Sequence, residues 1–350
     1  MNSSNEDLEK KHNLRMIISR FLAVIFVTMI LFVYSEELFW AVPRRTDNLF
    51  NFIFVYFMYL TPTFFVLYLS DKFNVKTIWT LFLVGSIYGW IIEGIIVDTM
   101  YEDIPLSISF TGMAWHSLIS ILFGFYLFQK AINTADRKEI IKLSIITSTF
   151  WGVWAVNWHK ELGYLPSVTE FFIFSMAFTT LLVIGFVGYN HLKIHEFKPT
   201  KLEKVIFFGV FGFFYLSDVL FSTISIYVLL VWTPLVLTTL YFLKMSKNHK
   251  YADNLNDSQT ETSNRTTETI DKDLSSIIFV SETSNSRLAL YIFLIAPIAS
   301  IIYGIEVTMG FIFSTVELVY IVTVFISLVF YIKAVFKAKF GRYMETQIKH

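Results

Sequence analysis

The chain has 350 residues, of which 55% are hydrophobic and 16% charged, and its 28 Lys and Arg balance its 28 Asp and Glu. A soluble domain carries about 25% charged residues, so a soluble globular class is excluded. Length instead limits how many apolar helices of about 20 residues can follow one another. Cysteine is absent, which excludes disulfides, thiolate metal sites and cysteine nucleophiles.

Residues 1–13 are polar and mixed in charge. The apolar run that follows is too long for a signal h-region and has no small-residue cleavage site behind it, so it reads as a first span. Continuously apolar runs then recur down the chain, giving spans at 16–34, 49–70, 77–97, 111–130, 140–159, 169–190, 204–220, 222–243, 288–308 and 311–333. Only helices or closed barrels satisfy backbone polar groups in lipid, and runs without alternation are helices. The stretch 204–243 is interrupted only near Asp218 and is divided there because about 40 residues is the length of two spans.

The expected fold is therefore all-α, a polytopic membrane helix bundle of about ten transmembrane helices. A segment of residues 1–15 precedes eight spans over 16–243. A polar loop, 244–287, precedes two further spans over 288–333 and a tail, 334–350. The loop is rich in Ser, Thr, Asn, Asp and Glu, too poor in apolar surface to offset the entropy of ordering, and is expected to be mostly disordered.

Charge sets an orientation. If the ten runs all cross, every Lys and Arg except Arg44, Arg45 and Lys160 falls on one side. Basic residues resist translocation, so that side is cytoplasmic, with both termini inside. These bases read as orientation signals and not as a nucleic-acid surface. No Gly-rich phosphate loop is present, so no nucleotide site is expected.

The acids show the opposite bias. Glu36, Glu37, Glu93, Asp98, Glu161, Glu170, Asp218, Glu306 and Glu317 lie toward the extracytoplasmic ends of spans, with His116 and His159 at the same level. At a rise of 1.5 Å per residue, Glu93 sits about 6 Å, and His116 and Glu317 about 9 Å, below the outer boundary. An ionisable group inside a bilayer is costly and is a functional candidate by default. Glu93, His116 and Glu317 are accordingly the candidate proton or cation site. A carboxylate and an imidazole can pass a proton, and the pair could also ligate a divalent metal.

Asn157 and Glu161 share a helix face at i, i+4 and, with Asp98, Asp218 and Glu306, form a secondary set. Trp151, Trp154 and Trp158 read as an interfacial belt. Pro62, Pro234 and Pro297 fall near the middle of spans, where proline can break a membrane helix. Ile302-Tyr303-Gly304 echoes Ile87-Tyr88-Gly89, a possible internal repeat.

Two function classes follow. One is a transporter or channel for a small solute or cation, with proton coupling as one form of it, and an outward-facing Glu/His site. The other is a membrane-embedded enzyme acting on a lipid, isoprenoid or surface polymer from the outer face. An accessory membrane subunit is a third. The lipid bilayer is the partner common to all three.

Overall fold

The computed structural model describes the backbone of residues 2–260, 278–310 and 316–348. Side chains are described within those ranges except at 2–12, 160–161, 248–260, 316–317 and 341–348. Among the described residues there are no strands, and ten helices are long and apolar enough to cross a membrane. They are α1 (Asn13–Trp40), α2 (Leu49–Lys72), α3 (Ile78–Ile96), α4 (Ile108–Asn133), α5 (Arg137–Asn157), α6 (Val168–His191), α7 (Lys201–Phe221), α8 (Ser225–Lys247), α9 (Ser286–Met309) and α10 (Leu318–Phe340). This is the architecture of a helical, multi-pass membrane protein.

Local sequence explains most boundaries. The Thr77 side chain accepts from Thr80 N–H and closes a capping box at the start of α3, and Ser167 with Glu170 does the same for α6. The Asp136 carboxylate caps α5. The break between α7 and α8 falls at residues 222–224, just after Asp218, as the charge there suggested. Pro234 and Pro297 stand at the joints between helical registers. Pro234 follows a wide five-residue turn, Val228–Trp232, and Pro297 follows a nine-residue 3-10 stretch, Ser286–Leu294. Near the start of a new α segment a missing N–H costs little.

Contacts divide the chain into two compact units. The first comprises residues 1–68, 129–211 and 279–311, and so holds α1, α5, α6, α9, most of α2 and the first half of α7. Glycines allow its closest crossings. A Cβ on Gly152 of α5 would lie 2.7 Å from the Ala299 carbonyl oxygen of α9, and one on Gly185 of α6 would lie 2.8 Å from the Phe26 carbonyl oxygen of α1. Trp151 and Trp154 are not an interfacial belt. Both are buried, and their indole N–H groups donate to the Ala41 and Phe39 carbonyls at 2.8 and 2.7 Å. They satisfy the open carbonyls at the end of α1, which lipid could not do.

The expected disordered loop is ordered over part of its length. The helix of α8 continues to Thr260, and residues 279–285 are pinned to the first unit. Phe279 and Val280 are buried, Asn133 Nδ2 donates to the Phe279 carbonyl at 3.0 Å, and Ser284 donates to Asn190 Oδ1 at 2.6 Å. Gln129 and Asn190 exchange hydrogen bonds beneath them. The segment orders because it brings two large apolar side chains to a buried amide network that needs partners. Residues 261–277 of that loop lie outside the described residues.

An acid also enters the bundle at the base-rich end of the sequence pattern, where none was expected. Glu203 stands in the first turn of α7 and pairs with Arg20 of α1 through two bonds of 2.9 and 2.8 Å, Arg20 being buried and Glu203 half-buried. The helix begins at Lys201, three residues earlier than the hydropathy alone suggested, because Thr200 and Glu203 form a capping box.

The second unit comprises residues 69–128, 212–278 and 312–350 and holds α3, α8, α10 and all but the last turn of α4. Here α3 and α4 pack most closely, and α10 packs against both. Ser109 of α4 meets Ser327 of α10 at 2.8 Å, and Thr239 of α8 meets Tyr331 of α10 at 2.7 Å.

Candidate functional site

The site is built where α3 and α4 cross. Gly89 has no Cβ, and one placed there would lie 2.1 Å from the Gly112 carbonyl oxygen and 2.8 Å from His116 Cβ. Small residues on both sides let two membrane helices approach this closely. The approach carries His116 to the acid on α3: His116 Nε2 lies 2.6 Å from Glu93 Oε1. Both groups are withdrawn from solvent, with side-chain exposures of 2% for His116 and 12% for Glu93.

Helical register contributes as well. Glu93 lies in a wide-turn segment, Ile92–Ile96, and His116 in another, Ile108–Leu127. Wide turns are rare and concentrate at functional sites. The chain after α3 folds back over the acid. Asp98 takes a left-handed backbone, φ 63°, and starts a short 3-10 turn, Thr99–Tyr101. The Thr99 hydroxyl donates to Glu93 Oε2, and the Tyr101 hydroxyl donates to the Gly94 carbonyl at 2.9 Å. From α8, the Trp232 indole donates to the Trp90 carbonyl at 2.7 Å.

Hydrogen-bond logic assigns the imidazole atoms. With Glu93 as a carboxylate, which only accepts, His116 Nε2 is the donor of the pair. His116 Nδ1 is buried and has no hydrogen-bond partner among the described residues. Each Glu93 oxygen has one partner, His116 on Oε1 and Thr99 on Oε2, while the far nitrogen of His116 has none among the described residues. The Tyr88 ring stands edge-on to the imidazole, with centroids 5.7 Å apart.

A second acidic feature lies in the same unit. Asp98 Oδ1 and Asp218 Oδ2 are enclosed and have no hydrogen-bond partner among the described residues. Their carboxylates repel one another and both act on Tyr101. Burial pushes the Asp98 carboxyl above its ordinary value, and burial, then the neighbouring acids, raises Tyr101. An acid whose folded-state pKa is raised contributes most to stability when protonated. That contribution is complete below about pH 4 and is lost as pH rises through the folded-state value. Asp98→Asn keeps the shape and the left-handed backbone and cannot ionise. It is expected to melt above the wild-type protein at pH 7, with the gap closing below about pH 4. Thermal unfolding in nanodiscs at the two pH values checks this; a wild-type protein that is the more stable at pH 7 contradicts it.

The other sequence candidates fall elsewhere. Asn157, Glu161 and Glu306 belong to the first unit. Asn157 and Glu161 do not share a continuous helix face. The α5 helix ends at Asn157, and Glu161 stands in a separate short helix, His159–Leu162. The Asn157 amide turns back to the Val153 and Trp154 carbonyls. Glu306 is half-buried on α9. Glu317 is in the second unit, in the first turn of the helix Val316–Ile348 that contains α10; its side chain, like that of Glu161, is outside the described residues, as are residues 311–315 of the expected last span. Among the described residues no three His, Asp or Glu side chains converge as metal ligands would. Glu93 and His116 supply two.

No protein-family model, curated protein or solved structure matches this chain.

Proposed function

We propose that the chain is a transporter or channel for protons or small cations, and that Glu93 and His116 are its ion-handling pair. The observation that carries this reading is the buried carboxylate–imidazole contact with an open nitrogen. Glu93 holds His116 through Nε2 and leaves Nδ1 with a lone pair, enclosed and unpaired. A proton arriving at Nδ1 makes an imidazolium whose charge Glu93 balances at once. Thr99 holds the carboxylate in place as the ring changes charge. Such a polar group inside an apolar bundle is costly, which makes it a functional candidate by default.

In this reading both termini are cytoplasmic, from the distribution of Lys and Arg. The pair then stands toward the extracytoplasmic end, beneath the folded-back turn 97–107. Helical register changes before Pro234 and Pro297 without breaking α8 or α9, and Pro62 stays within the continuous α2.

Proteoliposome flux under imposed proton, Na⁺ and K⁺ gradients tests the proposal. The wild-type protein is expected to carry one of these ions, and Glu93→Gln, which keeps the shape and removes the balancing charge, to lose about tenfold or more of the flux. Absence of wild-type flux in all three gradients, or full flux through Glu93→Gln, overturns it.

A further inference from the structure

The first unit carries an apolar groove of about 700 Å³ between α6 and α9. Val168 and Phe172 of α6 face Pro297, Ile301 and Ile305 of α9 across it. Gly304 keeps it open beside Val168, where a Cβ would come to ordinary contact at 3.4 Å. The groove is not closed over, since Ile301 and Ile305 remain exposed. It runs from Met309, at the end of α9, to Pro297, midway along the 24 residues of that helix. At a rise of 1.5 Å per residue this is about 18 Å. The hydrocarbon core of a bilayer is about 30 Å thick, so one leaflet contributes about 15 Å. The groove thus has the length of one leaflet. A membrane-crossing helix would need the whole thickness and would leave half its length outside the groove.

The end of the groove near Met309 is polar and charged. Thr169 and Thr308 line it. Tyr303 of α9 donates there to the Pro166 carbonyl at 2.7 Å, just before the capping box that starts α6. The loop after α1 is tied to the same place. The Tyr164 hydroxyl accepts from the Arg45 N–H at 2.9 Å, and the Arg45 guanidinium lies over the Tyr164 ring, 4.3 Å from its centroid. Arg45 is exposed, and its charge acts on Glu170, which is exposed as well. The two form no ion pair with each other, because Glu170 turns Oε2 back to the Ser167 N–H at 2.7 Å. Two opposite charges therefore stand apart beside the open end of an apolar groove.

We propose that this groove binds one phospholipid with an ethanolamine headgroup, its acyl chain between α6 and α9, its phosphate on Arg45 and its ammonium on Glu170. A guanidinium presents paired N–H donors that match a phosphate. Tyr164 holds Arg45 by its face, which leaves those N–H edges to a ligand. A purely anionic headgroup would satisfy Arg45 and be repelled by Glu170, whereas a headgroup carrying both charges satisfies both. The chain adds affinity with each methylene it buries in the groove. The site does not depend on the transport reading, and it belongs to the other unit from Glu93 and His116.

Native mass spectrometry of the full chain, taken from bilayers with equal amounts of phosphatidylethanolamine and phosphatidylglycerol, tests the proposal. The wild-type protein is expected to retain one phospholipid, the ethanolamine form about tenfold over the glycerol form. Arg45→Gln is expected to lower the retained lipid about tenfold, the worth of one charge-assisted contact. Glu170→Gln still closes the capping box; it is expected to keep the lipid and lose the headgroup preference. Gly304→Leu fills the groove and is expected to lose both lipids. Arg45 stands in an exposed loop, so Arg45→Gln decides the matter even where Gly304→Leu fails to fold. A wild-type protein that retains no phospholipid, or retains the glycerol form equally well, overturns the proposal. So does a retained lipid that Arg45→Gln leaves unchanged.

Discussion

Gly89→Ala is expected to cost about 3 kcal/mol of stability, the upper part of the range for overpacking, and to break the Glu93–His116 contact. The new methyl group would lie 2.1 Å from the Gly112 carbonyl oxygen and 2.8 Å from both the Gly112 carbonyl carbon and His116 Cβ. Two of these three neighbours are backbone atoms and cannot rotate aside. Restoring ordinary contact requires α3 and α4 to part by about 1 Å, and close-packed interiors do not absorb such a shift locally. Because the imidazole and carboxylate sit on opposite sides of this crossing, separation acts on the site directly. Gly209→Ala and Gly212→Ala provide the comparison. A Cβ at either position meets nothing within 4 Å, and alanine is the better helix former. Thermal unfolding of the three variants in nanodiscs separates the cases; a Gly89→Ala protein as stable as Gly209→Ala contradicts the close crossing.

Arg20→Met is the second large effect, expected at about 3 kcal/mol, the lower end of the cost of breaking a buried ion pair from one side, because Glu203 is only half-buried. Arg20 reaches Glu203 through Nε and Nη2 at 2.9 and 2.8 Å, and the two side chains are only 7% and 13% exposed. Removing the guanidinium strands a carboxylate that cannot simply leave, because Glu203 Oε2 also accepts from the Thr200 N–H at 2.7 Å. Adding Glu203→Gln to Arg20→Met is expected to recover most of the loss. Glutamine still closes the capping box, and replacing both charges of a buried pair is close to neutral. Denaturation of the single and double variants measures this, and strictly additive losses contradict a coupled pair.

The ten helices were legible because a roughly 20-residue apolar run is a strong signal that little else produces. Their ends were less so. The α1 helix runs to Trp40 because a wide turn carries Glu36 and Glu37 within the helix, where polarity alone argued for a loop. The α5 helix stops at Asn157, which separated Asn157 from Glu161, because the chain turns there into a separate short helix.

Depth in the sequence singled out Glu93, His116 and Glu317, and the first two, which lack a partner on their own helices, are in contact in the structure. It could not show that they meet, since contact depends on the crossing that Gly89 and Gly112 permit. Thr99 carried no signal of its own, because its hydroxyl reaches Glu93 only through the left-handed turn at Asp98.

The account stands on an open nitrogen beside a held carboxylate, and nitrogen NMR of the imidazole reads both at once. Protein labelled with ¹⁵N-histidine in nanodiscs, with His116 assigned by its loss in His116→Gln, should show a protonated, hydrogen-bonded Nε2. It should also show a lone pair on Nδ1, and Nδ1 should move when protons or the transported cation are titrated in. In Glu93→Gln the Nε2 signal should lose its strong hydrogen bond. A His116 spectrum that Glu93→Gln leaves unchanged, or an Nδ1 that responds to no ion, would contradict the account.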